Sequence, residues 1–119
     1  MKSLLSGCKL LNNIDLSNFK TPKVENISHM FNRCESLESI NLSNFNAQNV
    51  INMESLFFGC KSLKNIELFN FEQNIKINNL FNGCQSLIEI KFGNFGIKKI
   101  KEMHDLFNNC YSLKQNIFI

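Results

Sequence analysis

The chain has 119 residues, of which 44% are apolar, and its 13 basic and 10 acidic side chains leave a net charge of +3. This length and apolar content predict one modest folded domain rather than a disordered segment. No apolar run approaches the about 20 residues of a membrane-spanning helix, and the charge is too small to indicate a partner, so we expect neither membrane insertion by this segment nor nucleic-acid binding.

The chain is an internal repeat that its five cysteines mark at steps of 26, 26, 24 and 26 residues. Leucine follows each cysteine by three residues, and phenylalanine follows it by eleven in every complete unit. Periods of 20 to 50 residues are typical of repeat architectures. We therefore expect a single domain over residues 1–119 with about four and a half units, starting near Cys8, Cys34, Cys60 and Cys84, with a partial unit from Cys110.

The first half of each unit has a strand pattern. In residues 38–43, Ile40 and Leu42 stand two apart with polar residues between and around them. This period of two predicts a half-buried strand over Glu38 to Ser43 and at the equivalent positions of the other units.

The second half of each unit has a helical spacing. Apolar residues recur at i, i+3, i+6, i+7 and i+10 from Val24 to Cys34, from Val50 to Cys60 and from Ile100 to Cys110. This spacing predicts short helices, and Thr21 followed by Pro22 is typical of a helix start. The third unit is two residues short after Phe71, so we expect its helix to be curtailed.

One strand and one helix cannot bury their apolar edges alone, so stability requires stacked neighbours. The predicted fold is α/β: a right-handed leucine-rich-repeat solenoid with a parallel sheet on the concave face and short helices on the convex face. Files of equivalent cysteine, leucine, isoleucine and phenylalanine residues would form its continuous core.

The units also resemble those of a known family. Their majority form, CxSLxxIxLSNFxxxxVxNMxxLFxGC, is similar to the 26-residue leucine-rich repeats of BspA-like surface proteins, and the likeness covers nearly the whole chain. The resemblance implies a non-enzymatic adhesion or recognition module, often one segment of a longer surface-displayed protein of bacteria or protozoa.

The sequence gives little indication of metal binding or catalysis. Each cysteine closes an apolar stripe, where a free thiol packs in a core, and no pair has the CxxC spacing of a zinc site. His29 and His104 lie at different positions of their units and have no partner within them. We therefore expect no enzyme, no metal and no cofactor.

A partner would bind the outward strand positions five, seven and nine residues after each cysteine, because recognition by repeat arrays usually uses the concave sheet. Phe69 is the candidate anchor, since aromatic residues are enriched among binding hot spots. The candidate partner-binding residues are Asn13, Asp15, Ser17, Ser39, Asn41, Ser43, Asn65, Glu67, Phe69, Glu89 and Lys91.

Two functions follow as alternatives: cell-surface adhesion or protein-ligand recognition, and an intracellular protein-interaction scaffold. The resemblance favours the first, whereas five thiols expected to be free favour the second. Because neither end looks capped, we expect a fragment of a longer array or end-to-end self-association. The sequence leaves the localisation and the identity of the ligand open.

Overall fold

A computed structural model of the chain describes residues 1–19, 23–43, 45, 47–68, 75–91 and 104–114. They include four short strands, which we name β1 (Asn13–Asp15), β2 (Ser39–Asn41), β3 (Asn65–Glu67) and β4 (Glu89–Lys91). β1 pairs with β2 and β3 pairs with β4, both in parallel, as two separate two-stranded sheets. A four-residue 3₁₀-helix spans His104–Phe107. The remaining described residues lie in turns and irregular backbone, apart from isolated parallel bridges that join Asn26 to Asn52 and Asn52 to Lys76.

The predicted α/β fold is wrong. The described part of the chain contains no α-helix, and its strands form two small sheets instead of one continuous concave sheet. The right-handed leucine-rich-repeat solenoid with convex helices is therefore not the observed architecture. The predicted helix start at Thr21 and Pro22 lies outside the described residues.

The described residues form five segments, each around one cysteine, that we call rungs 1 to 5: residues 1–19, 23–43, 49–68, 75–91 and 104–114. Backbone hydrogen bonds join each rung to the next. In rung 1, for example, the N–H groups of Leu5 and Gly7 donate to the carbonyls of Met30 and Asn32 in rung 2, over 3.0 and 2.8 Å.

The strands are half as long as the predicted segment of residues 38–43, and side chains end two of them, β1 and β2, early. The Asp15 carboxylate accepts the N–H of Ser17 over 2.9 Å, and the Asn41 side-chain oxygen accepts the N–H of Ser43 over 3.0 Å. Such a bond two residues along the chain forms a turn that resembles a backbone turn. These turns limit β1 and β2 to three residues.

The predicted helices are replaced by tight turns. In these turns, backbone N–H groups donate alternately to a carbonyl of their own rung and to a carbonyl of the next rung. The N–H of Asn32 donates to the carbonyl of His29 within its own rung, over 3.1 Å. The N–H groups of His29 and Phe31 instead donate to Glu54 and Leu56 of the next rung, both over 3.0 Å. An α-helix would bond every interior N–H to the carbonyl four residues earlier, so this segment exchanges helical bonds for bonds between rungs.

Left-handed backbone conformations exclude an α-helix at the same place. The residue immediately before each cysteine has positive φ, as does the residue five before it in rungs 1 to 4. A left-handed residue does not continue a right-handed helix. The positions are Ser3, Gly7, His29, Arg33, Ser55, Gly59, Asn79, Gly83 and Asn109.

The core lies between the turns and the strands and consists of equivalent residues from successive rungs. The side chains of Phe57, Cys60 and Leu63 are fully buried, as are their counterparts in rungs 2 and 4. The rings of Phe31, Phe57, Phe81 and Phe107 stack nearly parallel, with centroids 5.7, 5.8 and 6.1 Å apart. In the predicted phenylalanine file, Phe19 and Phe45 stack at 6.5 Å, whereas Phe71 and Phe95 lie outside the described residues.

Candidate binding surface

The strands place their outer residues on one surface. In β1 to β4 the central isoleucine points inward, and the residues on both sides of it point outward. Ten of the eleven candidate residues lie at these positions or just after the strand, and Phe69 lies outside the described part of the chain. We call the ten the polar strip: Asn13, Asp15, Ser17, Ser39, Asn41, Ser43, Asn65, Glu67, Glu89 and Lys91.

Strand register brings members of the polar strip together in pairs. Asn13 lies opposite Ser39, whose hydroxyl donates to the Asn13 side-chain oxygen over 2.6 Å. Glu67 lies opposite Lys91, and their charged groups are 3.2 Å apart. Both members of this ion pair are about half exposed, so it contributes at most about 1 kcal/mol to stability. These contacts tie neighbouring strands together and reduce what the four side chains can offer to a partner.

The Asp15 side chain is an ionised carboxylate that already accepts a hydrogen bond in the turn after β1. Hydrogen bonds from the side chain and the backbone N–H of Ser17 lower the pKa of Asp15. The side chain is exposed at the end of β1. Its charge is therefore available to a cationic group of a partner even though one oxygen is engaged with Ser17.

Strand β3 lies at the centre of this surface. A hollow of about 240 Å³ lies between β2 and β3, and another of about 300 Å³ lies between β3 and β4. Asn65, Ile66 and Glu67 line both hollows. The amide of Asn65 is exposed and makes no hydrogen bond to another described residue, so its donors and its acceptor are available to a ligand.

A larger hollow, of about 400 Å³, lies over the turns next to the cysteines, and the sequence reasoning missed it. Gly59 and Gly83 contribute to its lining, as do the side chains of Arg33, Lys61 and Tyr111. A Cβ atom added to Gly83 would stand 3.3 Å from Gly59 Cα, so the glycines keep this part of the surface open. The sequence feature that could have indicated this hollow is the glycine that precedes Cys8, Cys60 and Cys84.

The cysteines are structural in this geometry. All five are free thiols, and those of Cys60 and Cys84 donate to the carbonyls of Phe31 and Phe57, over 3.1 and 3.0 Å. Burial raises the pKa of both of these thiols and raises that of Cys110 to about 11. A neutral, hydrogen-bonded thiol is a poor nucleophile and a poor metal ligand.

Neither a metal-ligand cluster nor a membrane-spanning helix occurs among the described residues. Among those that the structure describes, no three or more histidine, cysteine, aspartate or glutamate side chains are grouped so as to hold a metal ion. No helix within the described ranges is long and apolar enough to cross a bilayer.

The described architecture is that of a repeat protein built from very short parallel strands and tight turns. The chain belongs to the family described as "Mycoplasma protein of unknown function, DUF285", whose family model matches residues 1–90. The expected membership of the BspA-like leucine-rich-repeat family is therefore wrong. No curated protein and no solved structure matched the chain.

Proposed function

We propose that the chain is a non-enzymatic binding module that recognises a protein or other surface ligand through the polar strip. The observation that carries the proposal is the position of β3, whose Asn65 and Glu67 line both hollows of this surface. Asn65 supplies an unengaged amide, and the shallow surface suits a protein or peptide better than an enclosed small molecule. The proposal assigns the chain no catalytic step and no cofactor.

The polar strip favours a hydrogen-bonding partner with some positive charge. Its acidic members are Asp15, Glu67 and Glu89, and its one basic member is Lys91, which is paired with Glu67. Asp15 and Glu89 thus leave a negative excess on this surface. Complementary charge steers encounter and fixes register more than it adds affinity.

Two settings remain as proposals, adhesion at a cell surface and an intracellular interaction scaffold. Adhesion depended on the family resemblance that DUF285 membership has replaced. The five free thiols favour the scaffold, because disulfides are rare in compartments that keep cysteines reduced. We therefore rank the scaffold as an equal alternative.

Site-specific photo-crosslinking in cells that make the protein tests the proposal. A photoreactive residue replaces Asn65 in one variant and Lys76 in a control, since Lys76 is equally exposed but lies outside the polar strip. We expect a partner to be captured from Asn65 and not from Lys76. Equal capture at the two positions would contradict binding through the polar strip.

A binding measurement with the captured partner completes the test. Asn65→Arg places a bulky charge between the two hollows, and we expect it to weaken binding at least about tenfold, as for a central contact residue. Asn78→Arg is the same substitution at an exposed position outside the strip and should leave affinity unchanged. Protease treatment of intact cells separates the settings, because a surface partner is cleaved and a cytosolic one is protected.

A further inference from the structure

The hollow of about 400 Å³ beside the cysteines, which we call the side hollow, runs along the row of rungs. Its lining comes from equivalent positions in rungs 2 to 5: two residues before the cysteine, one before it and one after it. Because the side hollow lies along the row, a further rung at either end would extend this surface and would not cover it. It shares no residue with the polar strip or with the two hollows beside β3.

Backbone forms the floor of the side hollow in its middle. The residue before the cysteine is a glycine in rungs 3 and 4, Gly59 and Gly83, but it is Arg33 in rung 2 and Asn109 in rung 5. A Cβ atom added to Gly59 would stand 3.3 Å from Arg33 Cγ, so this glycine leaves room for the arginine side chain beside rung 3. The side hollow therefore has an open centre with a polar side chain at each end.

The single arginine and the single tyrosine of the chain both line the side hollow. Arg33 is exposed, and its guanidinium has no hydrogen-bond or ion-pair partner among the described residues. Tyr111 is 75% exposed, and its hydroxyl donates to the Asn109 side-chain oxygen over 2.9 Å, which fixes one end of the ring. Arginine and tyrosine are among the residues most enriched at binding hot spots, and here both are available to a ligand.

The charge of the side hollow is opposite to that of the polar strip. Two of its lining residues already face each other, since Lys61 Nζ lies 3.9 Å from a carboxylate oxygen of Glu35. This pair leaves the guanidinium of Arg33 as the uncompensated charge of the lining. A guanidinium binds a carboxylate through two parallel hydrogen bonds. The side hollow therefore suits a ligand that carries a carboxylate group.

The amide groups and the length of the side hollow favour a peptide. The Gln85 side chain is exposed and makes no hydrogen bond to another described residue. The Asn82 amide nitrogen donates to Asn79 over 3.2 Å, while the Asn82 side-chain oxygen accepts no bond from the described part of the chain. Such amides can pair with the N–H and carbonyl groups of a peptide. Hydrogen-bonded parallel strands lie about 4.8 Å apart, so rungs 2 to 5 span about 14 Å, the length of about four extended residues.

We propose that the side hollow is a second binding site and that it takes an extended acidic peptide. A glutamate or aspartate of the peptide pairs with Arg33, and an aromatic or apolar side chain of the peptide covers the ring of Tyr111. Gln85, which lies between them along the row, bonds the peptide backbone. The site is independent of binding through the polar strip, because the two surfaces have no residue in common.

The unaltered chain carries its own reporters for a direct test. Arg33 is its only arginine, so the guanidinium gives a single arginine N–H signal in an NMR spectrum. Tyr111 is its only tyrosine and the chain has no tryptophan, so tyrosine fluorescence reports on Tyr111 alone. The probe is a pool of end-blocked pentapeptides with glutamate or phenylalanine at every position. The control pool has glutamine in place of glutamate.

The two reporters should respond together. We expect the glutamate pool to shift the Arg33 signal and to change the Tyr111 fluorescence with the same midpoint, and added salt should raise that midpoint because the contact joins opposite charges. The glutamine pool should need a concentration at least about tenfold higher, since it offers no charged acceptor to the guanidinium. The proposal is overturned if neither signal moves with the glutamate pool, or if the two pools act at equal concentrations.

Substitutions of Arg33 test its role while Tyr111 fluorescence remains the readout. Arg33→Gln removes the charge and should weaken binding of the glutamate pool about tenfold or more. Arg33→Lys keeps the charge but loses the two-point contact, so its affinity should be intermediate. Lys76→Gln is the matched control, because Lys76 is exposed and lies outside both the side hollow and the polar strip. Equal affinity of Arg33→Gln and the wild type would contradict the proposed contact.

A second titration of the unaltered chain distinguishes a peptide from another polyanion. Polygalacturonate carries carboxylates but has neither a peptide backbone nor aromatic groups. It should move the Arg33 signal only at a higher carboxylate concentration than the glutamate pool, and it should leave the Tyr111 fluorescence unchanged. If polygalacturonate moved both signals at a lower carboxylate concentration, the site would be one for an acidic glycan, and the peptide proposal would be wrong.

Discussion

The ring of Phe57 lies 5.8 Å from the ring of Phe81, and their planes differ by only 2°. The same relationship extends to Phe31 on one side and to Phe107 on the other. Parallel rings at this separation are offset from one another, which is a favoured arrangement for aromatic pairs. The stacked rings tie four rungs together through the centre of the molecule, so the fold should depend on them strongly.

Truncation of the central ring should be severely destabilising. Phe57 is fully buried with a ring on each side, so Phe57→Ala leaves a cavity that its neighbours cannot fill. We expect the free energy of unfolding in urea to fall by about 3–5 kcal/mol. Phe19→Ala is the control. The Phe19 side chain is 39% exposed, so its truncation should lower the free energy of unfolding clearly less. Equal losses for the two variants would contradict a central role for the stacked rings.

Glycine substitutions should separate backbone strain from crowding. Gly7 and Gly83 both have positive φ, so alanine costs about 1 kcal/mol at either position. A Cβ atom at Gly83 would also press on the backbone of Gly59, whereas one at Gly7 would meet nothing within 4 Å. We therefore expect Gly83→Ala to lower the melting temperature more than Gly7→Ala. A larger effect of Gly7→Ala would show that crowding between rungs is unimportant.

The thiols should differ in their reaction with a labelling reagent. Cys60 and Cys84 are fully buried and donate to backbone carbonyls, while Cys8 is half-buried at the end of the row. Mass spectrometry of the native protein after brief treatment with a thiol reagent should find the label on Cys8 first and on Cys84 last. Early labelling of Cys84 would mean that the central rungs open readily.

Alkaline pH should destabilise the protein through its buried thiols. Burial raises the pKa of Cys84 well above 9.0 in the folded state, while in the unfolded chain the thiol keeps the ordinary value. The neutral Cys84 thiol therefore makes its full contribution to the free energy of unfolding below pH 9. That contribution decreases as the pH rises above 9, by about 1.4 kcal/mol per pH unit.

Urea denaturation across this range checks the sign and the assignment to Cys84. Burial raises the pKa of the Cys60 thiol as well, so the informative quantity is the difference between the wild type and Cys84→Ala. The variant should be less stable at pH 8, and its stability should decline less steeply above pH 9. Parallel declines would assign the pH dependence to other groups.

The sequence located the strands because period-two alternation has few other structural explanations. The isoleucine between two polar residues, as in Ser39–Asn41, points inward in each of the four strands, and the strip residues beside it point outward. The shortness of the strands was not predicted. In β1 and β2 it depends on side-chain bonds such as that from Ser43 N–H to Asn41, and asparagine forms such turns only in a suitable backbone context.

The helices were predicted wrongly because successive tight turns space their buried residues much as a helix does. Met30, Phe31 and Cys34 face the core in either geometry. What distinguishes the two is the left-handed backbone at His29 and Arg33, residue types that do not by themselves indicate positive φ. The glycines before Cys60 and Cys84 were the available signal. The hydrogen bonds to the next rung that impose this conformation involve residues about 25 positions away and leave no local pattern.

The spacing between rungs bears on how this family can vary. From Ile40 to Ile66 the offset is 26 residues, but from Met53 to Ile77 it is 24, and the backbone bonds on both sides of the change keep their positions. The missing pair of residues falls between Leu68 and Ile75, and on either side of this stretch Leu68 and Lys76 still donate to neighbouring rungs. Insertions and deletions should therefore accumulate in this connection during evolution, while the lengths of the turn and strand segments stay fixed.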